Sequence, residues 1–453
     1  MRGRIPRRRG WVALPVAAAG VVLALLLSAC GGSSAITTST APGGTAATAP
    51  SGQVTTSSST VAGGATTSST GTTGTPVSYP PASQSQYTVL AANDLGMHCI
   101  QADYSAMLIL PPANFLNVQV FKKGGEGAQL VTSGITVEYA VNNMGDPTAH
   151  SNFWQYAKNY GFNVEAGKGI TGNGLTGTCT LSKDGKYWEA TAIPVVPYNA
   201  QGQFDAYPTA TVTVKDTAGT VLAVQPTVVL PVSDEMHCDN CHEKTNTFAA
   251  ILSTHDKLSK TSLAADLSQG KPHACNECHS DNALGAKGQA GVKSLSEAMH
   301  GFHAPKMATM NTMQESCYNC HPGQKTQCLR GAMAAKGLMC DNPKCHGPIG
   351  NVASTIVAGR QPWLNEPDCG NCHKNASNPN TLYRHSFLMN GPESMNGFIL
   401  CESCHNGTHS EWKSTLALDN STPIYLQGQA GPIGTCGVCH SGNGQIHGGS
   451  GGG

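Results

Sequence analysis

The sequence predicts a chain of mixed class: an N-terminal β-sandwich joined to a loop-rich domain of short helices whose core its own side chains cannot fill. Three observations carry this. Strand-like alternation runs from about Ser85 to Ser233. From residue 234 to His447 one short cysteine–histidine signature then recurs seven times. Aromatic residues make up only 6% of the 453, so that second stretch has little of its own to pack.

Within 85–233, the runs beginning at Tyr87, Leu116, Ile135 and Thr209 alternate or carry β-branched residues, the signature of half-buried strands. Asp184-Gly185 lies between Thr178-Cys-Thr-Leu and Tyr187-Trp-Glu-Ala-Thr-Ala-Ile, a hairpin signal, and Ala218-Gly219 separates two further strand-like runs. Ser151 to Tyr160 reads as a short helix. About 150 residues with turns at this spacing suit one sandwich with its own core, and an immunoglobulin-like version is consistent with them.

The recurring signature is Cys-x-x-Cys-His at Cys238/Cys241/His242, Cys275/Cys278/His279, Cys317/Cys320/His321, Cys369/Cys372/His373, Cys401/Cys404/His405 and Cys436/Cys439/His440. Cys340/Cys345/His346 has four residues between its cysteines. Two thiols at this spacing reach the two vinyl groups of one porphyrin, and the histidine after them reaches its iron from below. Structural zinc would not require a histidine in the same place after every pair. Seven covalently attached haems c are expected, roughly one per 30 residues, supplying the apolar core. Without them the region should not fold.

Whether the irons carry charge or bind substrate depends on their sixth ligands. Outside the motifs this stretch holds His237, His255, His273, His300, His303, His385, His409 and His447, one more than seven irons need. His237 and His273 directly precede their own motifs and suit a neighbouring haem better than their own; of His300 and His303, one is expected to ligate. Met299, Met307, Met310 and Met313 are the competing sixth ligands, and packing is their more ordinary use. Full histidine ligation leaves no iron open to a substrate.

Three cysteines remain besides Cys30. Cys99 and Cys179 fall in the strand-rich part, and a disulfide between them is expected in an oxidising compartment. Alternatively His98 and His150 bind a metal or cap a haem from the next domain. Cys328 has no evident partner; pairing with Cys340 would leave the fourth haem held through Cys345 alone.

Residues 1–30 read as an export signal: five arginines in the first nine positions, an apolar run from Trp11 to Leu27, then Leu27-Ser28-Ala29-Cys30. That ending resembles the bacterial lipobox, which implies acylation of Cys30; Gly31 and Gly32, in place of an acidic residue, imply release to the outer membrane. Uncleaved, the run approaches membrane-spanning length. In residues 31–84, 47 of 54 are Gly, Ala, Ser, Thr or Pro and none is charged, so a disordered tether is expected. Residues 448–453 are a Gly-rich tail.

Motifs, surplus histidines, lipobox and tether together resemble the multihaem c-type cytochromes of bacteria that respire periplasmic or extracellular acceptors. The resemblance covers the signal and Met236 to His447. It implies electron relay along closely packed haems to a redox partner protein or a soluble or solid acceptor, with the membrane as a second partner through Cys30. A multihaem reductase or oxidase of nitrogen or sulfur oxyanions is the alternative, but those families keep one open haem, often with lysine in the motif, and no Cys-x-x-Cys-Lys occurs. A third reading makes the β part a surface-docking module fed by the haems. Charge is balanced at 27 basic and 27 acidic residues, so no strongly charged partner is implied and nucleic-acid binding has no support.

Overall fold

The computed structural model describes residues 82–124, 128–307, 317–367, 369–375, 378–382 and 399–441. The signal with Cys30, the tether to residue 81, Met310, Met313, His385, His447 and the Gly-rich tail lie outside the described residues. Among the described residues no helix is long and apolar enough to cross a membrane.

The class is mixed, with several antiparallel sheets and a few short helices. In chain order the strands are β1 (Tyr87–Asn93), β2 (His98–Cys99), β3 (Met107–Leu108), β4 (Asn114–Lys122), β5 (Gln129–Leu130), β6 (Ile135–Val141), β7 (Thr176–Thr178), β8 (Thr180–Leu181), β9 (Trp188–Ile193), β10 (Thr209–Asp216), β11 (Val221–Val229), β12 (Val232–Ser233) and β13 (His273–Ala274). One sheet runs β1-β4-β9-β8 with β5 beside β4; the other runs β11-β10-β6-β7. Each run read as a strand from its alternation is one. The Asp184-Gly185 turn joins β8 to β9 with Thr180 opposite Glu189, and Gly185 takes a φ of 72° that glycine adopts without strain.

Strand β10 shows why the alternation was legible. Ala210, Val212 and Val214 are buried while Thr209, Thr211 and Thr213 stand partly open, the two-residue period of a strand with one face covered. Its apolar face joins Val137 and Tyr139 of β6 and Val89, Leu116 and Val118 of the other sheet in one core. Strand β1 departs from the pattern, with six consecutive buried residues. Its second face is covered too: Leu90 and Phe121 pack with Ile399 and Val438 of the motif-bearing segment. The Gln119 carboxamide oxygen of β4 accepts from Leu400 N at 3.1 Å and Ser403 Oγ at 2.8 Å.

Helix α1 (Phe153–Tyr156) lies in the segment expected to be helical, with Phe153 edge-on to Tyr104 at 5.2 Å. Beyond Ser233 come α2 (Thr247–Ser259), α3 (Leu263–Ser268), α4 (Leu295–Met307) and α5 (Ile349–Val357), the last two packed together. Asp256, in the last turn of α2, caps α3, accepting from Leu263 N and Ala264 N at 2.8 Å each. The described residues fall in one compact unit, so the parts that the sequence reading separates share contacts. Strand β13 pairs in parallel with β3, and the buried Arg330–Asp419 pair reaches back so that Arg330 Nη1 donates to Gly96 O at 2.5 Å.

Candidate metal centres

Five of the motifs share one backbone device. The histidine N–H donates to the first cysteine's carbonyl in His242→Cys238, His321→Cys317, His373→Cys369 and His440→Cys436 at 2.9 Å and in His279→Cys275 at 3.0 Å. Cys401–His405 is itself a helical turn. One turn of this kind carries both cysteines and the histidine along neighbouring positions of a single face. The longer motif spends its extra residues on a turn of its own: Cys345 N and Gly347 N both donate to Asn342 O, at 2.8 and 3.1 Å.

The cysteines of the motifs differ in exposure: Cys241, Cys369, Cys372 and Cys436 are exposed, and the other motif cysteines are partly buried. Burial raises the Cys238 thiol and pushes Cys275 up to about 12. In both motifs the second cysteine closes a single turn, with Cys241 N donating to Cys238 O at 3.2 Å and Cys278 N to Cys275 O at 3.3 Å. Cys278 Sγ accepts from Gln289 Nε2 at 3.1 Å. Cys320, at the same place in the third motif, is drawn further in, and burial pushes its thiol up to about 11.

Four motif histidines each face a histidine from outside the motifs. The ring centroids are 6.5 Å apart for His242 and His303, 6.2 Å for His279 and His255, 6.3 Å for His321 and His300, and 6.2 Å for His346 and His409. Two imidazoles on opposite sides of one metal ion, each bonded at roughly 2 Å with its centroid about 1.1 Å further, stand about 6.3 Å apart. The gaps therefore fit one ion apiece. Interplanar angles from 23° to 90° are compatible with this, because two rings facing one ion need not be coplanar.

The outer nitrogens are anchored. Nδ1–H donates to a backbone carbonyl in His300 (Ser296, 2.8 Å), His303 (Met299, 2.7 Å), His279 (Lys293, 2.7 Å) and His409 (Leu95, 3.2 Å). His255 Nδ1 donates to Thr261 Oγ1 at 2.9 Å, since that hydroxyl spends its own proton on Asp256. This fixes the tautomer that leaves Nε2 with its lone pair, the usual outer support of a metal-bound imidazole. Burial pushes His321 and His409 down to about 4 and also lowers His242, His255, His300 and His346, so these rings are neutral, the ligating form, at neutral pH. A porphyrin supplies four nitrogens, so a pair of side chains completes an iron's six positions. The residues present fit haem.

Other candidates are placed differently. Both His300 and His303 face a motif histidine, where the sequence reading expected one of them: three residues apart on α4, they share a face yet reach different motifs. His273 does not suit the neighbouring haem it was assigned to. Its Nδ1 meets Glu277 at 2.8 Å and its Nε2 meets Asp266 at 3.3 Å, and these carboxylates, Glu277 first, raise its pKa. His237 gives Nε2 to Glu235 at 3.0 Å. The candidates left for His373, His405 and His440 include His385 and His447, outside the described residues. Met307 is buried and Met299 half-exposed.

His98 bonds Asp94 at 2.8 Å and stacks on Phe115, whereas His150 stacks on Tyr198. No group of three or more His, Cys, Asp or Glu side chains gathers to hold a metal ion among the described residues. The expected Cys99–Cys179 disulfide is not formed; both thiols are free. Cys99 lies on β2 beside Ser233, whereas Cys179 N donates to Val137 O of β6, in the shared core.

The motifs also touch one another, which no spacing in the sequence could reveal. Asn240 of the first donates to Asn319 of the third at 2.7 Å. Cys340 of the fourth is held below the ordinary thiol range by a hydrogen bond from Cys317 of the third. Cys372 Sγ of the fifth lies 3.9 Å from Lys344 O of the fourth. Cys404 and Cys439, of the sixth and seventh, pack in one apolar cluster. His409 follows the sixth motif by four residues yet faces the fourth motif's His346. No family model matches the chain, and comparison with curated proteins and with solved structures finds no similar protein.

Proposed function

We propose that this protein is a membrane-anchored multihaem c-type cytochrome that relays electrons from periplasmic or membrane donors to a terminal acceptor, another cytochrome or an extracellular metal oxide. One observation carries the reading: four motif histidines each face a second, outwardly anchored histidine across a gap that suits one iron. When bound, haem supplies a one-electron iron couple. The two cysteines of each motif would hold the group covalently and a facing pair of histidines would ligate its iron, so a site of this kind would pass charge and bind no substrate. Contacts between motifs one and three, three and four, four and five, and six and seven support close spacing along a path. The two antiparallel sheets act as a β-sandwich base that backs motifs six and seven, and Cys30 supplies the lipid anchor.

The test is reduction of the purified protein followed by rapid mixing with ferric citrate or a ferric oxide suspension. The expected result is release of about seven electrons per chain, one per motif, without turnover of nitrite or sulfite. Steady turnover of either oxyanion, or no discharge to any acceptor, contradicts the reading.

A further inference from the structure

We propose that Cys99 and Cys328 form a disulfide in the exported protein, stapling β2 to the segment that leads into the fourth motif. The proposal rests on the exported compartment of the reading above, and its chemistry is separate from the haems.

Fourteen of the 18 cysteines belong to motifs and Cys30 to the lipobox, which leaves Cys99, Cys179 and Cys328. Cys99 stands in register with Ser233, and Ile100 N donates to Ser233 O at 2.9 Å. Ser233 Oγ meets Thr326 Oγ1 at 3.3 Å, two residues before Cys328. From the other direction, Cys328 Sγ lies 4.0 Å from His409 Nδ1, which is 3.2 Å from Leu95 O. Arg330 Nη1 bridges the same two segments, donating to Gly96 O and, at 3.3 Å, to Cys328 O. Cys328 is thus boxed between the residues just before Cys99 in the chain and the strand beside it.

Burial pushes the Cys328 thiol up to about 12, and it raises Cys99 further, with Cys328 its next largest influence. The remaining thiols are placed elsewhere: Cys179 lies in the core between the two sheets, and Cys340 accepts a hydrogen bond from Cys317 within the motif cluster. Gln327 to Leu329 belong to no helix or strand, so closing an S–S bond of about 2.05 Å disrupts no regular element on that side. In forming the bond the two thiols lose two protons and two electrons. An exported disulfide oxidase takes up both electrons as its own disulfide becomes a dithiol. The bond fixes Cys328 against His409, the ring that faces the fourth motif.

The test takes mature holoprotein, denatures it without reductant in the presence of an alkylating agent, and maps the peptides by mass. One peptide pair joining Cys99 to Cys328, with Cys179 alkylated, is the expected result. Alkylation of both Cys99 and Cys328, or a link from Cys328 to Cys340, overturns the proposal. As a second measurement, C99S, C328S and the double variant should melt at one shared temperature a few degrees below the parent; parental melting of all three overturns it. The haem-to-polypeptide ratio of the same sample reports on the multihaem reading independently, because no motif residue is altered.

Discussion

The strand-rich part and the motif-bearing part solve the packing problem in opposite ways. In the first, side chains from two sheets make a continuous core in which Leu116, Val118, Val137 and Val212 are fully buried. In the second, the buried apolar residues among the described ones are scattered: Leu252 on α2, Ala274 on β13, Met307 on α4, Ile356 on α5, Trp412 beside Asp419, and Ile399 and Val438 against β1. What recurs there is a turn holding two cysteines and a histidine. One part makes its own core; the other is organised around those turns.

The harshest way to break this comparison is to withhold the haem. Chain produced without haem attachment should keep its β-sheet circular dichroism and lose protease resistance beyond Met236, leaving a fragment near residues 85–233. Uniform resistance along the haem-free chain would mean the motif-bearing part packs by itself.

Next comes Arg330, 1% exposed, whose Nε and Nη2 grip Asp419 at 2.7 and 3.0 Å. Arg330→Ala strands a buried carboxylate and should cost about 3–5 kcal/mol in denaturant unfolding. Loss under about 1 kcal/mol, the worth of a solvated pair, would show that water reaches Asp419.

The two kinds of core can then be compared directly. Leu116→Ala should cost about 2–5 kcal/mol, whereas Val357→Ala at the end of α5, 69% exposed, should stay within roughly 0.5 kcal/mol. Equal costs would erase the distinction.

The gentlest change in stability is the most pointed chemically. His303→Ala and His300→Ala should each leave the melting of the β part unchanged while opening one iron, seen as one high-spin ferric signal and one equivalent of bound carbon monoxide. If either variant keeps a parental spectrum, the facing ring is not a ligand.

Legibility divided along the same line. The period of two at Thr209–Val214 and the Asp184-Gly185 turn announced β10 and the β8–β9 hairpin, because one covered face is a local property of the chain. The buried run of β1 shows the limit: its second face is covered by Ile399 and Val438, more than 300 residues away, and no window contains both. In the motif-bearing part the signature turns were legible and the pairing of rings was not. His300 and His303 sit a helical turn apart but face the histidines of the third and first motifs, His321 and His242, a choice made by packing. The spacing also treats both cysteines of a motif alike, whereas in the first motif Cys241 is exposed and Cys238 partly buried, and in the seventh the order is reversed, with Cys436 exposed and Cys439 partly buried. His273 is placed by local contacts that its position before the motif does not reveal, since Glu277 and Asp266 meet both its nitrogens. The thiols of the β part are placed by non-local ones: Cys99 and Cys179 share a region but face different interiors.

The most direct test of the haem account is the intact mass of the mature protein together with its low-temperature electron spin resonance spectrum. The account predicts polypeptide plus seven covalent haems, with low-spin ferric signals from the four histidine pairs. A mass equal to polypeptide alone, or zinc in place of iron, would contradict it.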